Sequence, residues 1–408
     1  MTSVSPPRTG TTTASAYRWV VLFMAWTAFT MTSIDRSAWG PASASVSESL
    51  DVPLAALGLF ATGYYLGYVL SNAGCGVLVD RLGSRLVLGV SGLGAGLAMV
   101  LFGSADSIPL GLFLQALVGF FAGVDFAAGL KLIATWFAPD RRGLATGVFM
   151  NATSLGTVVA NAVVPVLLAA ADWRVSYHLF GAATMAIALA CLLLVRNGAQ
   201  AAERTRGELP DIRSVLRNRD LLLLGCAGFG GLWGTYGFVT WSNTLMTAGS
   251  GIDPVRAGNV LIIFAGIAIA AKLAVGWVCD LFGLGPRTPI AVLLAFFGAA
   301  LLVFGTLDTY AQFLWFAPLL GIGAYAYSPL IAAMAPLLSG TAAAGSAAGA
   351  INAFWQLGAV LVPAVIGPVF AATGSFLAAF ATLAAGPLAG AGLILVVRER
   401  GAGAAAGG

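Results

Sequence analysis

The stretch Gly76-Val-Leu-Val-Asp80-Arg81-Leu-Gly83-Ser-Arg85 returns 200 residues later as Gly276-Trp-Val-Cys-Asp280-Leu-Phe-Gly283. Each copy closes an apolar run long enough to cross a bilayer. Only 9% of the 408 residues are charged, 59% are hydrophobic, and mean hydropathy is +0.92. That leaves too little polar surface to coat a water-soluble body, whereas lipid-facing helices need none. The chain therefore reads as two similar membrane-embedded halves.

Apolar runs of spanning length fall at roughly 18–41, 53–76, 86–104, 108–138, 143–170, 175–196, 221–247, 255–280, 288–307, 310–338, 343–372 and 375–397. Twelve spans predict an all-α membrane protein of two pseudo-symmetric six-helix bundles. Its expected parts are a tail (1–17), a first bundle (18–196), a linker with a short amphipathic helix (197–220), a second bundle (221–397) and a tail (398–408). With the N-terminus in the cytoplasm, 15 arginines fall inside and only Arg174 and Arg256 outside, matching the positive-inside bias. Met1–Ala16 has no charged-then-apolar leader, so no signal peptide is expected.

Several chemistries are excluded. The four cysteines lie apart in apolar surroundings and the single histidine is His178, so neither a metal site nor a disulfide framework is expected. No Ser/His/Asp set or phosphate-cradling glycine loop can be assembled, so the chain reads as no enzyme and as needing no cofactor. The net charge of +4 follows from topology; the interleaved basic and aromatic residues of nucleic-acid binders are absent.

Twelve spans, the six-plus-six division and the Gly-x-x-x-Asp-Arg-x-Gly-x-Arg loop resemble the major facilitator superfamily. Trp136-Phe-Ala-Pro139-Asp-Arg141-Arg142-Gly143 resembles a second stretch common there. Ile34-Asp35-Arg36-Ser37, Phe238-Val-Thr240-Trp241 and Ala347-Ala-Gly349-Ala-Ile-Asn352 are similar to segments of the anion:cation symporters within it. That resemblance implies that Asp35 takes up protons and Arg36 meets a substrate carboxylate. The span 4 positions at which those symporters carry an arginine and a glutamate hold Gln115 and Ala122, with an acid one turn on at Asp125. Lys272 stands where monocarboxylate transporters and oxalate:formate exchangers, which the chain also resembles, carry a cation.

Five ionisable residues lie inside apolar spans: Asp35, Arg36, Asp125, Lys131 and Lys272. At about 2.5–3.5 kcal/mol each, they would together cost on the order of 10 kcal/mol unless paired or hydrated. They are therefore expected to face one another or a water-filled cavity. Three cations against two anions leave one positive charge that a carboxylate would neutralise. Both lysines in the chain are among the five, one in each half, where they could grip a substrate from opposite walls or extend to the membrane surface. Asp35 and Arg36 point about 100° apart on a helix, and Arg36 to Asp125 is a plausible cross-helix ion pair. A carboxyl group away from water keeps its proton more readily, which makes Asp35 the first and Asp125 the second candidate for proton coupling.

Tyr65, Trp241, Asn352 and Trp355 are the leading polar or aromatic candidates for substrate contact, with Tyr64, Tyr68, Asn72, Asn151, Asn161, Asn243, Tyr325, Tyr327 and Gln356 behind them. Such residues also serve as interhelical glue. Asp80, Arg81, Arg85, Asp280, Arg141 and Arg142 are expected to gate by locking the halves together. The expected function is proton-coupled symport of a small organic anion, the alternatives being anion exchange or proton-driven export of a metabolite. The expected setting is the bilayer of a bacterial plasma (inner) membrane, as a monomer with both termini cytoplasmic.

Overall fold

The computed structural model describes residues 12–137, 139–197, 217–339 and 344–398, which are helical with no strand among them. The first half comprises α1 (Thr12–Ser37), α2 (Trp39–Leu50), α3 (Leu57–Leu82), α4 (Ser84–Phe102), α5 (Ile108–Ala122), α6 (Asp125–Trp136), α7 (Pro139–Met150), α8 (Ala152–Ala170) and α9 (Trp173–Leu194). The second comprises α10 (Arg219–Ser250), α11 (Pro254–Phe282), α12 (Arg287–Phe304), α13 (Tyr310–Ser339), α14 (Ala344–Thr373) and α15 (Phe376–Val396). Three spans of the first half are pairs of helices, α1–α2, α5–α6 and α7–α8, so each half crosses six times. Among the described residues, eleven segments are by themselves long and apolar enough to cross a membrane. The remaining span is α1–α2, whose apolar run is interrupted by Asp35, Arg36 and several hydroxyls. The face on which α1 begins and α15 ends is called here the near face, and the opposite one the far face.

Small residues bring the helices together, as membrane packing requires. A Cβ on Gly119 would overlap the Tyr64 carbonyl, and one on Gly321 would overlap the Phe264 carbonyl. These two contacts, α5 on α3 and α13 on α11, occupy matching places in the two halves. Gly83 and Gly283, the paired glycines of the sequence repeat, have φ of 81° and 59°. That region is open to glycine and strained for other residues, which explains a glycine at the end of both α3 and α11.

The halves meet towards the far face. Ser43 and Thr244 share a hydrogen bond of 2.6 Å, and the Asn243 amide donates to Asn161 at 2.9 Å. Thr62 donates to the Val360 carbonyl at 2.9 Å, and a Cβ on Gly58 would overlap the Pro363 carbonyl. Span 1 runs further than its expected end at residue 41. The serines that read as loop are helical in α2, where Ser43 bonds to Thr244 and to the Gly40 carbonyl and Ser47 to the Val52 carbonyl. Of the expected linker, 197–220, residues 198–216 lie outside the described residues, and its last two, Arg219 and Asp220, open α10.

Candidate functional site

Asp35 and Arg36 sit just before the interruption of α1 at Ala38 and diverge as neighbours on a helix must. Asp35 turns into its own half. It is buried, and the Thr184 hydroxyl on α9 donates to its two oxygens at 3.2 and 3.3 Å. Arg36 crosses to the other half. Its Nη1 donates to the Tyr236 hydroxyl on α10 at 3.3 Å, and the guanidinium lies 5.1 Å from the centre of that ring, within cation–π range. Its Nε is buried without a hydrogen-bond partner. Tyr65 on α3 packs its ring 5.1 Å from that of Tyr236.

Lys272 on α11 makes the reciprocal crossing. Its Nζ donates to Thr153 Oγ1 and Ser154 Oγ in the first turn of α8, both at 3.0 Å, and lies 4.3 Å from the centre of the Tyr325 ring. Arg36 and Lys272 are close enough to repel each other, and Tyr65, Tyr236 and Tyr325 all lie within electrostatic reach of Arg36. Neither cation has a carboxylate partner among the described residues. Arg36, Tyr236 and Lys272 are only half-buried although they stand at mid-depth between the halves. Two positive charges, three phenols and a spare N–H thus converge where charge is poorly screened, an arrangement suited to an anion with several oxygens.

The acids keep apart from this cluster. Asp125 opens α6, just past the interruption at Gly123–Val124, and accepts from Ser91 Oγ on α4 at 2.7 Å. The expected Arg36–Asp125 ion pair is not formed. A hydroxyl within its own half satisfies each acid, while Arg36 points across the interface, about 100° around the helix from Asp35.

Other expectations are revised. Lys131 donates to the Val79 carbonyl at 2.9 Å. Val79 lies 14 residues beyond Tyr65, roughly 21 Å along the helix, so Lys131 serves the near end of α3. That fits the second of its two expected placements, reach towards the membrane surface, and not a wall opposite Lys272. Trp241 is buried with its N–H given to the Pro363 carbonyl at 3.0 Å, which makes it glue between α10 and α14. Trp355 packs its indole on Gly228. No hydrogen bond or ring contact joins Trp355 or Asn352 to Arg36 or Lys272 among the described residues. Arg85 does not bridge the halves: its Nε donates to the Leu192 carbonyl at 2.7 Å, within the first half. Arg81 is exposed, and the side chains of Asp80, Asp280, Arg141 and Arg142 lie outside the described residues.

Sequence reasoning missed Tyr236, Thr184, Ser91, Thr153 and Ser154. For the hydroxyl residues there was no signal, since serine and threonine in spans are ordinary helix formers whose partners depend on helix rotation. For Tyr236 there was one: it stands 200 residues after Arg36 and two before the Phe238-Val-Thr240-Trp241 stretch.

The model of the Major Facilitator Superfamily matches residues 25–363. The chain is 28% identical to a probable nitrate/nitrite transporter, NarK2, of Mycobacterium tuberculosis, over 81% of this chain and 84% of that one. It is 23% identical to a probable galactarate/D-glucarate transporter, GudP, of Bacillus subtilis, over 92% and 90% of the two chains. Among solved structures, a bacterial homolog of the human lysosomal transporter Spinster shares the fold with a TM-score of 0.75 at 16% identity, covering 93% of this chain and 95% of that one.

Proposed function

The chain belongs to the major facilitator superfamily, and is thus a multi-pass membrane transporter and no enzyme; we propose that it carries a small oxyanion, a carboxylate in the first instance, by proton-coupled symport. One observation carries the reading: Arg36 and Lys272, from opposite halves, converge with only phenols and hydroxyls as partners. An anion entering between them exchanges neutral contacts for charge-assisted hydrogen bonds, which are roughly twice as strong. Tyr65 and Tyr236 orient it, and Lys272 leaves Thr153 and Ser154 to reach it. Each half contributes one cation, so the anion binds best when both halves close on it, which is the requirement of alternating access.

Proton coupling is assigned to Asp35, with Asp125 as its neighbour in the same half. Asp35 and Arg36 are consecutive on α1, so any turn of this segment that alters one alters the other. Neutralising Asp35 leaves Arg36 as the only charge on that turn and strengthens its pull on the anion. The near face is taken as cytoplasmic, on the arginine count, in a bacterial plasma membrane. The relatives described as transporters of nitrate/nitrite and of galactarate/D-glucarate fit an anion site and differ in the size of the anion.

The test is uptake into proteoliposomes of nitrate, nitrite, D-glucarate and galactarate, with glucose as neutral control. An inward proton gradient should drive accumulation of at least one anion and of no glucose. Arg36→Ala and Lys272→Ala should each abolish it. Anion uptake indifferent to the loss of both cations would overturn the site.

A further inference from the structure

Three polar atoms in the first two turns of α9 are buried without a hydrogen-bond partner: Trp173 Nε1, Ser176 Oγ and Tyr177 OH. Their residues are 0, 0 and 1% exposed. Buried polar groups are nearly always satisfied, and those without a protein partner generally hold water. The three share the side of α9 that turns into the first half. The rings of Trp173 and Tyr177 are edge to face at 5.7 Å, and the buried amide of Gln115 on α5 lies within weak hydrogen-bonding reach of the Tyr177 hydroxyl, leaving it short of a full partner.

Both ends of this row lead somewhere. At the far face Arg174 lies 4.6 Å over the Trp173 ring and pairs at 2.9 Å with the half-exposed Asp172. Towards the middle of the membrane, two turns past Tyr177, Thr184 holds Asp35. Trp173 to Thr184 spans about 16 Å of helix. Tyr177, Tyr64 on α3 and Asp125 on α6 are titratable groups within electrostatic reach of Asp35. Arg36, the next residue on its own helix, faces away. The second half has no such row among the described residues: its nearest counterpart to the acids is a direct hydrogen bond of 3.2 Å between Thr235 and Tyr327.

We propose that Trp173, Ser176 and Tyr177 bind a file of water that connects the far face to Asp35 through the interior of the first half. The proton then reaches its acid along α9, while the anion passes between the halves. This inference rests on the reading of Asp35 as the coupling acid. It separates the two routes, so that the far-face seal made by Ser43, Thr244, Asn161 and Asn243 can stay shut to the anion while Asp35 exchanges protons with the far side.

Radiolytic hydroxyl footprinting of the purified wild-type protein tests for the water directly, because bound water labels side chains that bulk solvent cannot reach. Trp173 and Tyr177 should be labelled at least fivefold more than Trp241, which is equally buried but gives its N–H to Pro363. Equal silence of all three would overturn the file and leave the coupling role of Asp35 untouched. The functional arm uses Ser176→Ala, which deletes a hydroxyl that bonds to no protein atom, and Tyr177→Phe, which keeps the ring and removes a hydroxyl that faces the Gln115 amide. Melting temperature should be unchanged or raised in Ser176→Ala and fall by no more than a few degrees in Tyr177→Phe. In proteoliposomes, with D-glucarate and nitrate as probes and a pH dye inside, proton-driven accumulation should fall fivefold or more while counterflow stays within twofold. Labelled residues with accumulation intact would make the water structural and overturn the route. Wild-type protein whose transport ignores the proton gradient would overturn the reading of Asp35, and this inference with it.

Discussion

In the first half the Arg85 side chain donates to the Leu192 carbonyl, tying the start of α4 to the end of α9; in the second, Arg287 donates to the Ile394 and Leu395 carbonyls, tying α12 to α15. Arg287 and Ile394 lie 202 positions after Arg85 and Leu192, and Gly119 and Gly321, which seat α5 and α13, keep the same interval. The interiors built on this shared frame differ. Spans 1, 4 and 5 are interrupted at Ala38, Gly123–Val124 and Asn151, each within four residues of Arg36, Asp125 or the hydroxyls that hold Lys272. Their counterparts α10, α13 and α14 run through 32, 30 and 30 residues. The first half holds buried acids on hydroxyls. The second packs Phe238, Phe264, Phe304, Phe313 and Phe380 against one another. Close backbone contact requires the glycines and clamps in both halves, whereas charge chemistry needs irregular, hydroxyl-rich helices in only one.

The sharpest way to break this contrast is at the two crossing cations. Arg36→Ala leaves the frame intact and removes the charge that reaches across to Tyr236. Deleting one member of a buried charged contact costs about 2–5 kcal/mol, so anion affinity, read by thermal stabilisation with the best-transported anion, should fall 30-fold or more. Lys272→Ala should do the same from the second half. Survival of binding in either variant would mean that one half holds the anion alone.

Next in size is the division of labour between interiors. Asp35→Asn keeps the shape and the contact with Thr184 but cannot exchange a proton. Accumulation driven by an inward proton gradient should drop about tenfold or more, since Asp125, the other acid of this half, is engaged with Ser91 and does not replace it, while counterflow at equal pH persists. Thr235→Val, in the second half, should leave the response to a pH gradient unchanged. If it too uncoupled transport, proton handling would be spread over both halves.

The sequence carried the frame well because a frame is written in residue types and intervals. The 200-residue repeat, the paired glycines within it and the position of each charge along its span all follow from counting. Rotation about the helix axis does not. The adjoining of spans 1 and 4 that the resemblance implies made Arg36 and Asp125 a plausible pair, and counting left Lys131 either opposite Lys272 or reaching for the membrane surface. The structure turns Arg36 across the interface to Tyr236, and Lys131 away to Val79. Trp241 shows the same limit, since its place in a transporter-like stretch says nothing of the Pro363 carbonyl that takes its N–H. The interruptions were equally illegible. Ala38 and Asn151 are unremarkable residues in a span, and only the packing of α2 against α10 shows why the helix re-aims there.

A third, smaller effect tests the frame itself. Gly119→Ala and Gly321→Ala each drive a methyl into a backbone carbonyl, which cannot move aside as a flexible side chain would. Overpacking of this kind costs about 1–3 kcal/mol, so both variants should melt several degrees lower in detergent, and by similar amounts. A fall confined to Gly119→Ala would show that the frame is not shared and that the irregular half is the only fragile one.

The smallest effect separates a clamp from a gate. Arg85 sits in the loop motif expected to lock the halves, yet its bond goes to the last turn of α9, where a cation also answers the negative end of the helix dipole. As a cap it is worth about 0.3–1 kcal/mol, and so is Arg287 at the end of α15. Arg85→Ala and Arg287→Ala should each lower the melting temperature by a degree or two and leave the transport rate within twofold of wild type. A gate behaves otherwise, because a lock between halves holds one conformation against the other. Its loss shifts that balance and changes the rate with the melting temperature hardly altered. Measuring rate and melting on the same two variants therefore decides the matter: paired small losses of stability place both arginines in the shared frame, and a rate change in Arg85→Ala alone would return it to the working half.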